Sequence, residues 1–474
     1  MWPASLIRDF VCLLTRAHRE IGMPAQPDLA IPAPGALGNP IPLDRPKARL
    51  DDLRQKERRD VFAFWAVVVF AILMYAVPGD SIPELAETRL VLIMFIAAAG
   101  LMFLRRVFKL EPIFLDGWRG AALLAFGGLA FASMTWSVYP EQTQESSIEL
   151  IKLVAIYFTI INVVTTPRRL AILCVILVLA SMVPSIGAIN WYRGGGKLVE
   201  GFRTRWVGIY ADPNYLAMDV GLAVPLAAAL VTRRTWSITL RILCTVAAIL
   251  AVITIVLSHS RGGFLGLCTS MGIWAFREKR RLQAVFLGIA FVLGLLVFAP
   301  ATYWQRNETI REFHGEASAE GRIRAWEAAS RMSRANPLLG VGAGAFTHAW
   351  AIYAPPEAPK LPKVAHNVFM DVVAELGFVG LILFLIFVGG AVGGGFAAAN
   401  SPEIGWLARA IAASVTGFLV CQMFLSGYMV VSHLYVLFAL GACAQRMART
   451  AATASAAVAP PQSQPRQGSI ALVV

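Results

Sequence analysis

Long apolar runs separated by short polar stretches recur from Val61 to Met447. Each run is continuous rather than alternating, which predicts helices and excludes the strands of a membrane barrel. A bilayer core takes roughly 20 mostly apolar residues per helical crossing, and on that measure the pattern predicts about twelve spans. They fall near 61–78, 88–104, 118–136, 147–164, 169–190, 214–231, 238–258, 262–276, 282–299, 368–392, 404–425 and 428–445. The expected fold class is an all-α polytopic membrane protein with a large, partly helical outer loop between spans nine and ten.

The organisation follows from these runs. Residues 1–60 are a proline-rich and charged lead-in, with no apolar stretch long enough for a signal peptide. Residues 61–300 carry spans one to nine, 301–365 the outer loop, and 366–447 spans ten to twelve. Residues 448–474 are low-complexity and expected to be a disordered tail.

Composition sharpens the picture at three points. The chain is 57% hydrophobic, and its net charge is +13. In a soluble protein such a charge would suggest nucleic acid; here it is the ordinary excess of Lys and Arg in cytoplasmic loops. The six cysteines form no CxxC pair, and five lie in or beside apolar runs, where they read as small buried hydrophobes.

Loop charge also sets orientation. Arg105, Arg106, Lys109, Arg168, Arg169, Arg233, Arg234, Arg241, Arg277, Lys279, Arg280 and Arg281 all follow even-numbered spans. The connections "PGDSIPELAE" and "SVYPEQTQES" hold no Lys or Arg. The even side and both termini are therefore expected in the cytoplasm.

Several cations break that rule. Arg261, in "SHSRGGFLG", sits between spans seven and eight and faces outward. An arginine within the hydrocarbon costs roughly 2.5–3.5 kcal/mol on insertion scales, and less near the interface. It would also begin a helix, where the macrodipole disfavours a cation. A bound anion relieves both costs, and the following glycines expose backbone N–H groups to a phosphate oxygen. Snorkelling to the interface is the plainer alternative.

The 191–214 loop adds Arg203 and Arg205, which an extended segment would point the same way. Their guanidinium forks suit bidentate phosphate contacts. Asp212 and Asn214 bracket Pro213, a helix-start signature, so Asp212 reads first as a cap or an arginine partner. In the outer loop, Ser318 is expected to cap a helix running to about Arg334, stopped by Asn336-Pro337. Ile323, Trp326, Ala329 and Met332 would form its apolar face, lying on the membrane surface or over a cavity. Arg322 and Arg324, near its start, are site candidates. "GVGAGAF", Gly340 to Phe346, lacks the context of a nucleotide loop and is expected to be a flexible outer loop.

Span ten opens with "HNVFMDVVAELGFVG". His366 stands on the outer side, where an imidazole titrating near pH 6.5 can accept a proton. Asn367, Asp371 and Glu375 follow at i, i+4 and i+8 on one helix face. Acids entering a span normally face the bundle interior or water. His259 neighbours Arg261 and could line the same site; His314, His348 and His433 carry less. The spacing of these histidines suggests no metal, and no cofactor is expected.

These motifs, in order, resemble the O-antigen ligase/polymerase family of bacterial envelope glycosyltransferases. The resemblance rests on "GIYADPNYLAM", "SHSRGGFLG", "GRIRAWEAASRMSRANPLLGVGAGAF" and "HNVFMDVVAELGFVG", over roughly 200–385. It implies metal-independent, inverting-type transfer of a glycan from undecaprenyl diphosphate to an acceptor hydroxyl at the periplasmic face of the inner membrane. Arg261 would bind the diphosphate, and His366 would deprotonate the acceptor. Arg322 and the Arg203–Arg205 pair would be further donor contacts. The acceptor stays open among lipopolysaccharide core, a growing polysaccharide and a protein. The rival of another class is a transporter of an anionic lipid or glycan, which would be expected to show repeated halves and midplane polar sites.

Overall fold

The structure, a computed structural model, describes residues 59–278, 317–356, 358, 361–428 and 431–456. The expected span at 282–299, the proline-rich lead-in and His314 lie outside the described residues. The described residues contain helices and no strand. Eight helical segments are long and apolar enough to cross a membrane.

In chain order the helices are α1 (Val61–Ala76), α2 (Leu90–Lys109), α3 (Gly117–Ala132), α4 (Pro140–Val163), α5 (Pro167–Ala180) and α6 (Met182–Arg193). They continue with α7 (Pro213–Gly221), α8 (Ala223–Val231), α9 (Ile238–Ser258), α10 (Arg261–Arg277), α11 (Ala317–Ala335) and α12 (Phe346–Tyr353). The last three are α13 (Val368–Ala398), α14 (Gly405–Gln422) and α15 (Ser432–Ala456).

Two expected spans are each built from two helices. The 169–190 run divides at Ser181 and the 214–231 run at Leu222. Pro184 and Pro225 lie just beyond these joints, and proline cannot donate to the carbonyl one turn earlier. The last helix also departs from expectation. It continues through Arg446 and Arg449 to Ala456, so the first part of the expected disordered tail is helical.

Span ten is interrupted as well. Gly377 has φ +65° and ψ −169° inside α13, a conformation that suits glycine. A broken helix frees backbone groups that the bilayer cannot satisfy. Here the segment after α11 fills the break. Phe378 N donates to Pro337 O (2.8 Å), and Val379 N donates to Leu338 O (3.3 Å). In return Val341 N donates to Ala374 O (3.0 Å) and Gly342 N to Glu375 O (2.9 Å).

The glycine-rich segment is therefore a fastened loop, contrary to its expected flexibility. Gly342 has φ +110°, and a Cβ there would overlap the Ser137 hydroxyl. Ala343 N donates to Ser133 Oγ (3.1 Å). Its amides do bind an anionic group, but an internal one: Gly344 N and Phe346 N donate to the Glu375 carboxylate at 2.8 and 3.2 Å.

At one end of the bundle Arg105 and Arg106 meet Asp60 and Glu111, and Arg409 meets Glu278. At the other end the starts of α7, α10, α13 and α15 gather around the loop between α14 and α15. α10 packs closely on α14: Gly266 lies so near Gly417 that a Cβ would stand 2.6 Å from the Gly417 carbonyl oxygen. Of the cysteines, Cys174, Cys244, Cys421 and Cys443 are buried as expected, whereas Cys268 is exposed on α10.

Candidate functional site

Three side-chain caps begin the site. Asp212 accepts from Asn214 N (2.6 Å) and caps α7. Ser260 accepts from Gly263 N (3.2 Å) and caps α10. Asn367 accepts from Phe369 N and Met370 N (3.0 and 3.2 Å) and caps α13. Each satisfies amides that a helix start leaves unpaired.

One network joins the first two. Asn214 Oδ1 accepts from Ser260 Oγ (2.9 Å) and from Arg203 Nη2 (2.7 Å). Arg203 is buried; its Nε donates to Ser258 O (3.0 Å) and its Nη1 to Glu200 (3.3 Å). The guanidinium thus ties the 200–214 loop to the α9–α10 turn. Burial lowers the pKa of Arg203 from its ordinary value, against the pull of Glu200 and Asp212.

Arg205 goes elsewhere. The 199–203 stretch folds back on itself, with Val199 N donating to Arg203 O (3.0 Å), so the two arginines do not share a face as an extended segment would place them. Arg205 stacks over the Trp191 ring, 5.7 Å from its centroid. His259 is buried at the α9–α10 turn with φ +49°. Its Nδ1 is 3.1 Å from Leu257 O, and its ring meets Phe202 edge-on.

Arg261 is the first residue of α10. Next to it, Cys421 Sγ donates to Gly262 O (3.3 Å), and Gly262 packs against Phe424. Two residues along that same loop, Ser426 Oγ accepts from His366 N (2.8 Å). Gly262, the residue after Arg261, and His366, far apart in sequence, therefore meet one short loop, which Tyr215 also binds through its hydroxyl and Ser426 O.

His366 is held on both sides. Its amide binds Ser426, and the preceding carbonyl, Ala365 O, accepts from Trp326 Nε1 of α11 (2.8 Å). Its φ is +51°, a left-handed conformation that costs a non-glycine residue about 1–2 kcal/mol. Such strain collects at functional sites. The ring is part-buried, and its pKa is lowered from 6.5, first by burial and then by the Arg322 cation, with Lys363 adding to it and Asp212 opposing. Arg322 also acts on Arg203. It therefore stands near both the imidazole and the Asn214 network.

The remaining expected residues divide. Arg324 pairs with Glu327 (3.6 Å) on a surface about two-fifths exposed, apart from the His366 contacts. On α11 the buried face is Ala325, Ala328, Ala329 and Met332, packed on α12 and α13, while Ile323 is 47% exposed. The helix is docked on the bundle through small residues, which displaces the expected stripe by part of a turn. Asp371 is buried, with the Ser426 hydroxyl and the backbone of Ala365 and Gly427 around its carboxyl. Glu375 accepts from Tyr428 Oη (2.9 Å) besides the two loop amides. Both acids thus brace the loop that seats His366.

Ser426 and Tyr428 were not singled out from the sequence. The polar Ser-Gly pair between two apolar runs marks a turn there, but nothing local ties it to His366.

Residues 246–385 match the family model described as O-antigen ligase. That stretch carries Arg261, Arg322 and His366; Arg203, Asp212 and Asn214 lie before it. No curated protein matches the chain.

Proposed function

We propose that this chain, whose residues 246–385 match the O-antigen ligase family model, is a glycosyl-transferring enzyme of that family and moves a glycan from undecaprenyl diphosphate to an acceptor hydroxyl on the periplasmic face of the inner membrane. The observation that carries the reading is that one short loop holds both the His366 amide, through Ser426, and Gly262 at the start of α10, through Phe424, with Arg322 close enough to His366 to act on its charge. Basic residues at the opposite end of the bundle support the orientation, with that end in the cytoplasm. The twelve-span topology with cytoplasmic termini belongs to the same proposal.

The chemistry is direct. A neutral His366 ring nitrogen takes the proton from the acceptor hydroxyl as its oxygen attacks the anomeric carbon. The bond from that carbon to the diphosphate oxygen breaks, and its electron pair leaves with undecaprenyl diphosphate. Charge grows on the leaving group. Arg261 and Arg322 are the groups assigned to stabilise it, preorganised in a site partly shielded from water. Arg205 and Arg324 are assigned outer donor contacts. Arg203 keeps Asn214 and the α10 start in register.

Lipopolysaccharide or exopolysaccharide synthesis follows from this reaction, with a glycan or glycolipid as acceptor. A transporter would be expected to place polar half-helix ends around a midplane cavity. The break in α13 is instead filled by the protein's own loop, which favours the transferase.

A base must be unprotonated to act. With its pKa below 6.5, His366 is neutral at pH 7, and activity is lost only as pH falls through the lowered value. Arg322 disfavours the imidazolium, so Arg322→Gln should raise the pKa. The acid limb of kcat/KM, which reports the free enzyme, is expected below pH 6.5 in the wild type and at higher pH in the variant. An unmoved or lower limb would remove His366 from the role.

A further inference from the structure

Beneath this site a second polar cluster is sealed inside the bundle. His433, in the first turn of α15, places Nδ1 3.0 Å from Asp219 Oδ2 of α7. The contact is close but not in line, and neither Asp219 oxygen has a straight hydrogen bond. On the other side of the ring, Nε2 lies 3.4 Å from the Tyr210 hydroxyl. Tyr75 of α1 donates to the Asp219 backbone carbonyl (3.4 Å) and meets the imidazole edge-on, at 4.5 Å between centroids. Tyr75, Tyr210 and Asp219 are fully buried and His433 is 3% exposed.

Ionisable groups among spans are costly and are a mark of function. The transfer chemistry above uses none of these four. Their wiring nevertheless has a direction. A proton on Nδ1 would face the Asp219 carboxylate, which can accept it. Tyr210 lies outside the spans; burial and the Asp219 carboxylate hold its phenol well above its ordinary pKa, so it stays a donor, and Nε2 is left to accept.

Tyr210 in turn governs the donor side of the site. Its carbonyl accepts from Trp206 N (2.9 Å), and its amide donates to Val207 O (3.2 Å). Its ring stacks on Trp206. Two residues later Asp212 caps α7, and Asn214 begins the network with Arg203 and Ser260.

We propose that His433 and Asp219 are positioning residues: they orient Tyr210, and through its turn they hold Asp212 and Asn214 where the lipid diphosphate is bound. The proposal rests on the transferase reading for its kinetic test, and its wiring is tested apart from activity.

In nanodiscs, Tyr210→Phe removes one hydroxyl and leaves the ring packing intact. Donor KM is expected to rise about five-fold or more with kcat within about two-fold, the signature of lost binding alignment. His433→Asn keeps a donor beside Asp219 but loses Nε2, so it should shift KM alike. The double variant should add nothing beyond either single change. Wild-type KM in Tyr210→Phe, additive effects, or equal falls in kcat and kcat/KM with a lowered thermal midpoint would overturn the proposal. Nitrogen NMR of histidine-labelled protein supplies the second arm, with the His433 signal identified by its loss in His433→Asn. A protonated Nδ1 and a bare Nε2 that responds to Tyr210→Phe are expected. A bare Nδ1 would overturn the wiring even if no transfer were detected.

Discussion

His366→Ala is expected to lower transfer by about 10²–10⁴-fold, the usual contribution of a positioned base. The protein should remain folded and inserted, because the bond from His366 to Ser426 uses the backbone amide. One complication is conformational. His366 has φ +51°, and alanine tolerates that region poorly. Asparagine accepts it more readily, so His366→Asn removes the base while keeping the turn. Both variants should elute as the wild type does with product reduced equally, and the asparagine variant should also melt as the wild type does. Near-normal product from either would exclude His366 as the base.

The second large effect belongs to Arg261. Arg261→Lys keeps the charge but loses the planar fork that fits a diphosphate. Transfer is expected to fall about 10–10²-fold, somewhat less than the loss of a whole transition-state donor. A snorkelling arginine would tolerate this change, since lysine snorkels equally well. Full activity in Arg261→Lys, measured at saturating donor, would therefore assign it to the interface alone.

What the sequence disclosed follows from which forces act locally. Eight of the expected spans, all among the described residues, were legible because apolar runs of bilayer length need no partner to be recognised. The cap at Asp212 was legible for the same reason, because it serves an amide two residues away, whereas Asn367, expected on a helix face with Asp371 and Glu375, is instead the cap of α13. The Gly377 break was not legible, because its hydrogen-bond partners, Pro337 and Leu338, come from a loop about 40 residues earlier. The glycine motif at 340–346 looked flexible for a related reason. Its rigidity comes from Ser137 crowding Gly342 and from Glu375 binding its amides. These contacts are tertiary.

The arginines show the same limit. Residue type was legible; individual roles were not. Arg203 and Arg205 stand two apart and invite the same reading, yet one is buried against Asn214 and the other stacks on Trp191. Arg322 and Arg324 also differ: Arg322 acts on His366, and Arg324 pairs with Glu327. That Gly262, beside Arg261, and the His366 amide meet one loop, Phe424–Ser426, is a link that no spacing in the sequence encodes.

The most direct test is reconstitution of purified protein in nanodiscs with an undecaprenyl-diphosphate-linked glycan and a panel of hydroxyl-bearing acceptors, following acceptor mass and released undecaprenyl diphosphate together. Equal appearance of glycosylated acceptor and free lipid diphosphate, in chelator and lost in His366→Asn, is the predicted result. Release without acceptor gain, a metal requirement, or full turnover in His366→Asn would contradict the account.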